Sequence, residues 1–196
     1  NSGNGWCTPR HLYTRDVYRA WGQLPYTMAD YQLHALFSML YPGYEDSGFF
    51  LNERGFLTPT PYGETMDVLM TDMRPETLGQ YNVAILGGWQ KPDCEQLDKF
   101  EAFARQGGTL LAFAGQIEGR EDAAALFGAK RLGNSKPVRD ARVCSGARSF
   151  REEALSVYAE AELDEEVQAL AWLEDGTPLI VSRRLGEGRT ILVLSP

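Results

Sequence analysis

The chain has 196 residues, 43% hydrophobic and 23% charged, with 19 Lys and Arg against 27 Asp and Glu, for a net charge of −8. A chain of this size buries roughly 70% of the surface its unfolded form exposes, so it folds without disulfide or metal staples. The acidic balance, with no Lys/Arg cluster to segregate charge, argues against nucleic acid, and no apolar run is long enough to cross a membrane.

Residues 1–26 are rich in aromatic residues, Gly and Pro, and read as an extension or linker, with a short helix over Arg15–Trp21 capped by Thr14. The remainder, 27–196, reads as one α/β domain. A firmer helix is predicted over Thr27–Leu40, where Leu33, Leu36, Phe37 and Leu40 recur at helical spacing and Pro42-Gly43 closes the run. His34 sits beside that stripe as a boundary residue. A long loop follows over 41–63, and loops of that length inside a compact domain tend to serve function or an interface. Its Tyr41, Tyr44, Phe50 and Tyr62 offer either a hydrophobic interface patch, the favoured reading, or rings on which sugars stack.

Thr65–Thr71 reads as a strand and Pro75–Leu78 as one helical turn. The organising stretch is Tyr81–Gly119. Val83–Leu86 is an unbroken apolar run, as in a strand buried on both faces, and Pro92 and Asp93 suit the start of a helix. Cys94, Leu97, Phe100, Phe103 and Ala104 make that helix's apolar stripe, which places Cys94 in the core. Gly107-Gly108 ends the helix, and Thr109–Phe113 is the second buried strand. Two buried strands joined by a covering helix form a parallel crossover, the seed of a doubly wound sheet.

Arg120–Phe127 is a short Ala-rich helix stopped by Gly128, and 129–150 is polar, basic and poor in pattern. Around Leu155–Ala161 alternation favours a strand while the Glu and Ala content favours a helix. Val167–Leu173 and Leu179–Ser182 flank Asp175-Gly176, a strong hairpin signal; Gly186-Glu187-Gly188 makes the next turn, and Thr190–Leu194 is a fully buried strand. The C-terminus is thus an antiparallel β meander.

Cys7, Cys94 and Cys144 are far apart and form no Cys-x-x-Cys, so neither a structural zinc nor a disulfide scaffold is expected, and a Cys7–Cys144 bridge stays open. The acidic run from Glu160 to Glu166 lacks calcium-loop spacing and reads as a solvated face. No metal or cofactor is called for. The chain starts at Asn1 and stops just beyond an apolar strand, which suggests a domain cut from a longer polypeptide and leaves the compartment unread.

In open α/β sheets ligands bind beyond the carboxyl ends of the strands. Those ends carry Asp72, then Gly87, Gly88 and Trp89, then Gly115, Gln116 and Glu118, with Glu121 close behind. Asp67-Val68-Leu69, Tyr81–Gly88, Gly107–Leu111, Gly176–Leu179 and Leu185–Arg189 together resemble the class I glutamine-amidotransferase-like domains. More narrowly, they resemble the non-catalytic, trimerisation type that follows the catalytic barrel in family 42 β-galactosidases and related glycoside hydrolases. The resemblance covers about 64–196 and implies a three-layer, mostly parallel flavodoxin-like sheet. It also implies a glycoside hydrolase catalytic domain in the same polypeptide as partner, and subunit packing into a homo-oligomer.

Working members of that class place a cysteine on a sharp turn after a strand, matching Ala112–Gln116 here, and that segment holds neither Cys nor Ser. Their histidine comes late, whereas this sequence has only His11 and His34. A thiol nucleophile needs a nearby base. Three functions follow as expectations: a catalytically empty packing module that shapes a neighbouring active site, a carbohydrate-binding module using Tyr41, Tyr44, Phe50, Tyr62 and Trp89, or a hydrolase using Asp72, Glu118 and Glu121. The first is expected, with no catalytic residue in the chain itself.

Overall fold

The computed structural model describes residues 32, 35, 36, 38–40, 67–88, 90–153 and 155–195. The chain divides into two compact units, Asn1–Met70 with Gly87–Gln90, and Thr71–Leu86 with Lys91–Pro196. In the first, residues 32, 35, 36 and 38–40 are helical, in line with the helix expected over Thr27–Leu40. The strand expected over Thr65–Thr71 does not form: 67–70 have no regular structure, and Val68 and Met70 are 57% and 71% exposed. A short apolar run becomes a strand only where a ladder closes on it, and none does there among the described residues. The predicted helix over Arg15–Trp21, the loop over 41–63 and Cys7 lie outside the described residues.

The second unit is α/β, and its helices are α1 (Pro75–Leu78), α2 (Cys94–Arg105), α3 (Ala114–Ile117) and α4 (Glu121–Leu126). A seven-stranded sheet runs in the order β1 (Val83–Leu86), β2 (Thr109–Phe113), β9 (Gly188–Val193), β8 (Pro178–Leu185), β7 (Gln168–Leu173), β4 (Ala141–Ser145), β5 (Arg148–Glu152). β1, β2 and β9 pair in parallel, and β9 through β5 pair antiparallel. β3 (Ala129–Val138) and β6 (Ser156–Leu163) form a separate antiparallel ribbon. The expected parallel crossover and the C-terminal meander are therefore both present, with the last strand returning beside β2.

Helix α2 covers the parallel part because its sequence prepares both ends. The Asp93 carboxylate accepts the Gln96 backbone N–H at 2.8 Å, and the Gln96 side-chain oxygen accepts the Asp93 N–H at 3.1 Å. This reciprocal pair satisfies two donors that a helix start leaves open. It sets Asp93 as the cap and Pro92, fully buried, one residue before it rather than inside the first turn. Leu97, Phe100, Phe103 and Ala104 then face inward, and α2 lies against β2, β9 and β8. Burying each large side chain contributes about 1.5–3 kcal/mol.

At the other end Gly107 takes φ +110°, as a left-handed stop requires, and the turn between β8 and β9 closes on the helix terminus. The Glu187 N–H donates to the Arg105 carbonyl at 3.0 Å, and the Arg189 N–H donates to that of Gly108 at 3.1 Å. The Gly186-x-Gly188 turn thus serves as a cap supplied by a distant hairpin.

The sheet corrects three burial expectations. In β1 only Leu86 is buried, and Val83 and Ile85 are 53% and 38% exposed, because β1 ends the strand order among the described residues. In β2 and β9 one face is buried (Leu110, Ala112, Thr190, Leu192), while Leu111, Ile191 and Val193 on the other are half-buried. Cys94 is exposed: with Asp93 as cap it opens the helix, one turn before the stripe's first buried member, Leu97.

Residues 129–150, unassigned from pattern, supply β3, β4 and β5, whose side chains are mostly exposed and so carry no alternation. The open choice near Leu155 resolves to strand β6. A second core gathers Val143, Ala171 and Leu173 with Tyr158, Leu179 and Ile180 around them.

Candidate functional site

The carboxyl end of β2 is where the fold offers chemistry, and there the chain makes a sharp strand-to-helix turn into α3. The Gln116 side-chain oxygen accepts the Phe113 backbone N–H at 3.1 Å, and the Ala114 N–H donates to the Ser195 carbonyl at 3.0 Å. Gln116 is buried, so of the residues predicted for a strand-end crevice it is a clamp on its own turn rather than a group offered to solvent. Gly115 is half-buried beside it. Ala114, Gly115 and Glu118 face Leu132, Gly133, Ser135 and Ala159 of the β3–β6 ribbon across a depression of about 10 Å³. That is about the space of one water-sized sphere, far below the several hundred Å³ of a small-molecule site.

Glu118 is exposed; its backbone carbonyl accepts the Lys91 ammonium at 3.4 Å and its carboxylate stands 4.0 Å from the same group. Asp72 is exposed in the turn before α1, and Glu121 is exposed at the start of α4. In the first unit Gly88 is buried with φ +77°, and its N–H donates to the side-chain oxygen of buried Gln32 at 3.1 Å. Gly87 is half-buried next to it. Tyr41, Tyr44, Phe50, Tyr62 and Trp89, and both histidines, lie outside the described residues.

Sequence reasoning missed Arg120, a side chain with several partners among the described residues. Arg120 grips the Asp122 carboxylate with two nitrogens, donates to the Pro92 carbonyl and reaches Cys94 Sγ at 3.4 Å. The hydrogen bond from Arg120 holds the Asp122 carboxyl below its ordinary range, and the Arg120 guanidinium is correspondingly held protonated. Its chemistry is tethering: one cation ties the start of α2 to the start of α4. The signal available in sequence was only Arg120 two residues before Asp122, a common surface spacing.

Cys94 and Cys144 both carry free thiols, and Cys144 lies in β4 opposite Ser149 and Trp172. Among the described residues no three His, Cys, Asp or Glu converge as a metal site, and no helix is long and apolar enough to cross a membrane.

No protein-family model matches the sequence, and no curated protein matches it. Solved structures share its fold. A ThuA-like protein from Bacteroides uniformis ATCC 8492, of amidotransferase-like fold, superimposes with a TM-score of 0.58 at 14% identity over 86% of this chain and 75% of that one. The β-galactosidase from Rahnella sp. R3 superimposes with a TM-score of 0.51 at 18% identity over 66% of this chain and 22% of its own. The GH42 β-galactosidase Gan42B gives a TM-score of 0.48 at 16% identity over 61% and 19%. The chain spans about a fifth of the length of these two galactosidases.

Proposed function

We propose that this chain is a catalytically empty amidotransferase-like domain, of three-layer flavodoxin-like type, attached to a glycoside hydrolase, where it serves interdomain or subunit packing and shapes a neighbouring active site. The observation that carries the reading is the turn after β2. Where a nucleophile would stand, Ala112–Gln116 holds no thiol or hydroxyl, and the polar Gln116 is spent on the Phe113 N–H. The likeness in fold to a segment of the Rahnella β-galactosidase supports the choice of host enzyme.

The test has two arms. The chain alone should hydrolyse neither aryl glycosides nor glutamine, and joined to its parent polypeptide it should raise that enzyme's thermal midpoint or fix its subunit number. Turnover by the isolated chain that is lost in Asp72→Asn or Glu118→Gln would sink the reading and make the chain a carboxylate hydrolase. Saturable oligosaccharide binding by calorimetry, abolished by Tyr44→Ala or Trp89→Ala, would replace it with a carbohydrate-binding module.

A further inference from the structure

Strand β5 ends the seven-stranded order opposite β1, and among the described residues nothing pairs with its outer edge. Arg148, Ser149, Phe150 and Arg151 are exposed and Glu152 is half-buried. Gly146 and Ala147 join the strand to β4, and Gly146 stands at φ +57°, the sign a type II′ turn needs at its first position. In so short a hairpin the closing pair, Ser145 with Arg148, and every second pair after it exchange hydrogen bonds. Val143 and Phe150 therefore bond to each other. The N–H and C=O groups of Ser149 and Arg151 point away from β4, toward the open edge.

The strand complements its own copy when the two run antiparallel about a two-fold axis at Phe150. Ser149 then stands opposite Arg151 of the second copy, and Arg151 opposite its Ser149, so the outward main-chain groups of both copies meet and each pair exchanges two hydrogen bonds. A slip of one residue would set outward groups against inward ones. A slip of two residues sets either Arg151 against Ala147 of the turn or Arg151 against its own twin. In the two-fold register Arg148 opposes Glu152 twice, and Phe150 opposes Phe150 in the closely spaced, non-hydrogen-bonded kind of pair. These side chains share the face of Val143 and Leu173, so the apolar row that leaves Phe150 56% exposed continues across the axis. On the other face the two Arg151 stand only diagonally, each held by its own Asp140 in a two-pronged pair.

We propose that the outer edge of β5 pairs antiparallel with the same edge of a second copy of this chain, so that the seven-stranded sheet runs on through a two-fold axis into the sheet of its twin. Main-chain bonds at Ser149 and Arg151 supply the attachment, the Arg148–Glu152 pairs fix the register, and the two Phe150 rings cover each other. The occupant is argued from charge: the hairpin sets Arg139, Arg142, Arg148 and Arg151 against Asp140, Glu152 and Glu153, a near balance that selects no uniformly charged partner. With base at one end of β5 and acid at the other, the strand matches itself reversed. Such a contact is self-complementary and closes at two subunits. Two short edges bury less than a standard interface, so the association is weak, with a Kd on the order of tens of micromolar. The inference names one surface for the subunit packing proposed above but does not rest on an attached hydrolase. Loss of the dimer would leave the empty-domain reading standing, and hydrolysis by the chain would leave the dimer standing.

The test is sedimentation equilibrium of the whole chain at concentrations from far below to well above that Kd, where a reversible monomer–dimer equilibrium is expected. Arg148→Glu should weaken the dimer about tenfold or more by setting carboxylate against carboxylate, and Glu152→Arg should do the same with two guanidiniums. An equimolar mixture of these two variants should regain the native affinity as mixed dimers, since each copy then meets its opposite charge at both positions. Circular dichroism checks that both variants fold; should either fail, Arg148→Glu with Glu152→Arg in one chain must dimerise as the native chain does. Amide exchange at Ser149 and Arg151 should slow as concentration rises through the Kd, which main-chain pairing requires and side-chain contact alone does not produce. A chain that stays monomeric throughout, a dimer indifferent to Arg148→Glu, or a mixture of the two single variants that stays monomeric would each overturn the proposal.

Discussion

Gly188 and Gly176 stand in the same meander but refuse a side chain for different reasons. A Cβ on Gly188 would lie 2.2 Å from the Gly108 carbonyl oxygen and 2.3 Å from that of Ala104, both backbone atoms that cannot give way. A Cβ on Gly176 meets nothing within 4 Å, and only its φ of +89° opposes it. Urea denaturation should therefore show Gly188→Ala losing about 3 kcal/mol and Gly176→Ala about 1 kcal/mol. Equal losses would mean that the meander does not press on α2. A second residue-scale prediction concerns Asp122. The Arg120 hydrogen bond lowers its carboxyl pKa from the ordinary 3.8. A carboxyl depressed on folding stabilises above its unfolded pKa and loses that contribution as pH falls through its folded one. The gap in melting temperature between the native chain and Asp122→Asn should thus be open at about pH 6 and close as pH falls well below 3.8; a gap unchanged in strong acid would show that the pairing is not its cause.

At the scale of elements, α2 is held at one end by its own sequence and at the other by residues some eighty positions away. Removing the local cap, Asp93→Ala, should cost about 1 kcal/mol in the same denaturation experiment, since it frees the Gln96 N–H, while the Gln96 side-chain oxygen keeps the backbone N–H of residue 93. This contrast also explains what was legible in the sequence. The strand–helix–strand unit declared itself because Leu97, Phe100, Phe103 and Ala104 must face one way, and the meander did because Asp175-Gly176 and Gly186-x-Gly188 mark turns. Strands β3 and β5 bury almost nothing, so no alternation was available to read. Cys94 was misplaced because a stripe written in sequence does not say where the helix starts; the Asp93–Gln96 capping pair does. Of the candidate site, the lack of Cys and Ser in Ala112–Gln116 was legible. The clamp made by Gln116 and the tether made by Arg120 were not, since each depends on which chain segments fold beside it.

At the scale of the whole described sheet, stability should fall away from its centre. β2 and β9 have a parallel or antiparallel partner on both sides and lie under α2, and Leu110, Ala112 and Leu192 are at most 1% exposed. β5 has one partner, one buried neighbour row and an open edge. Amide exchange reports local opening, which ranges from nearly free at frayed edges to the full unfolding energy in a core. Leu110, Ala112, Thr190 and Leu192 should accordingly be the slowest amides, exchanging only through global unfolding, so that Gly188→Ala speeds them by the same factor that it lowers stability. Ser149 and Arg151, whose N–H groups face away from β4, should exchange faster than these and be insensitive to that substitution. Protection at Ser149 and Arg151 as high as in β2 would mean that the edge of β5 is covered and that stability does not fall away from the centre.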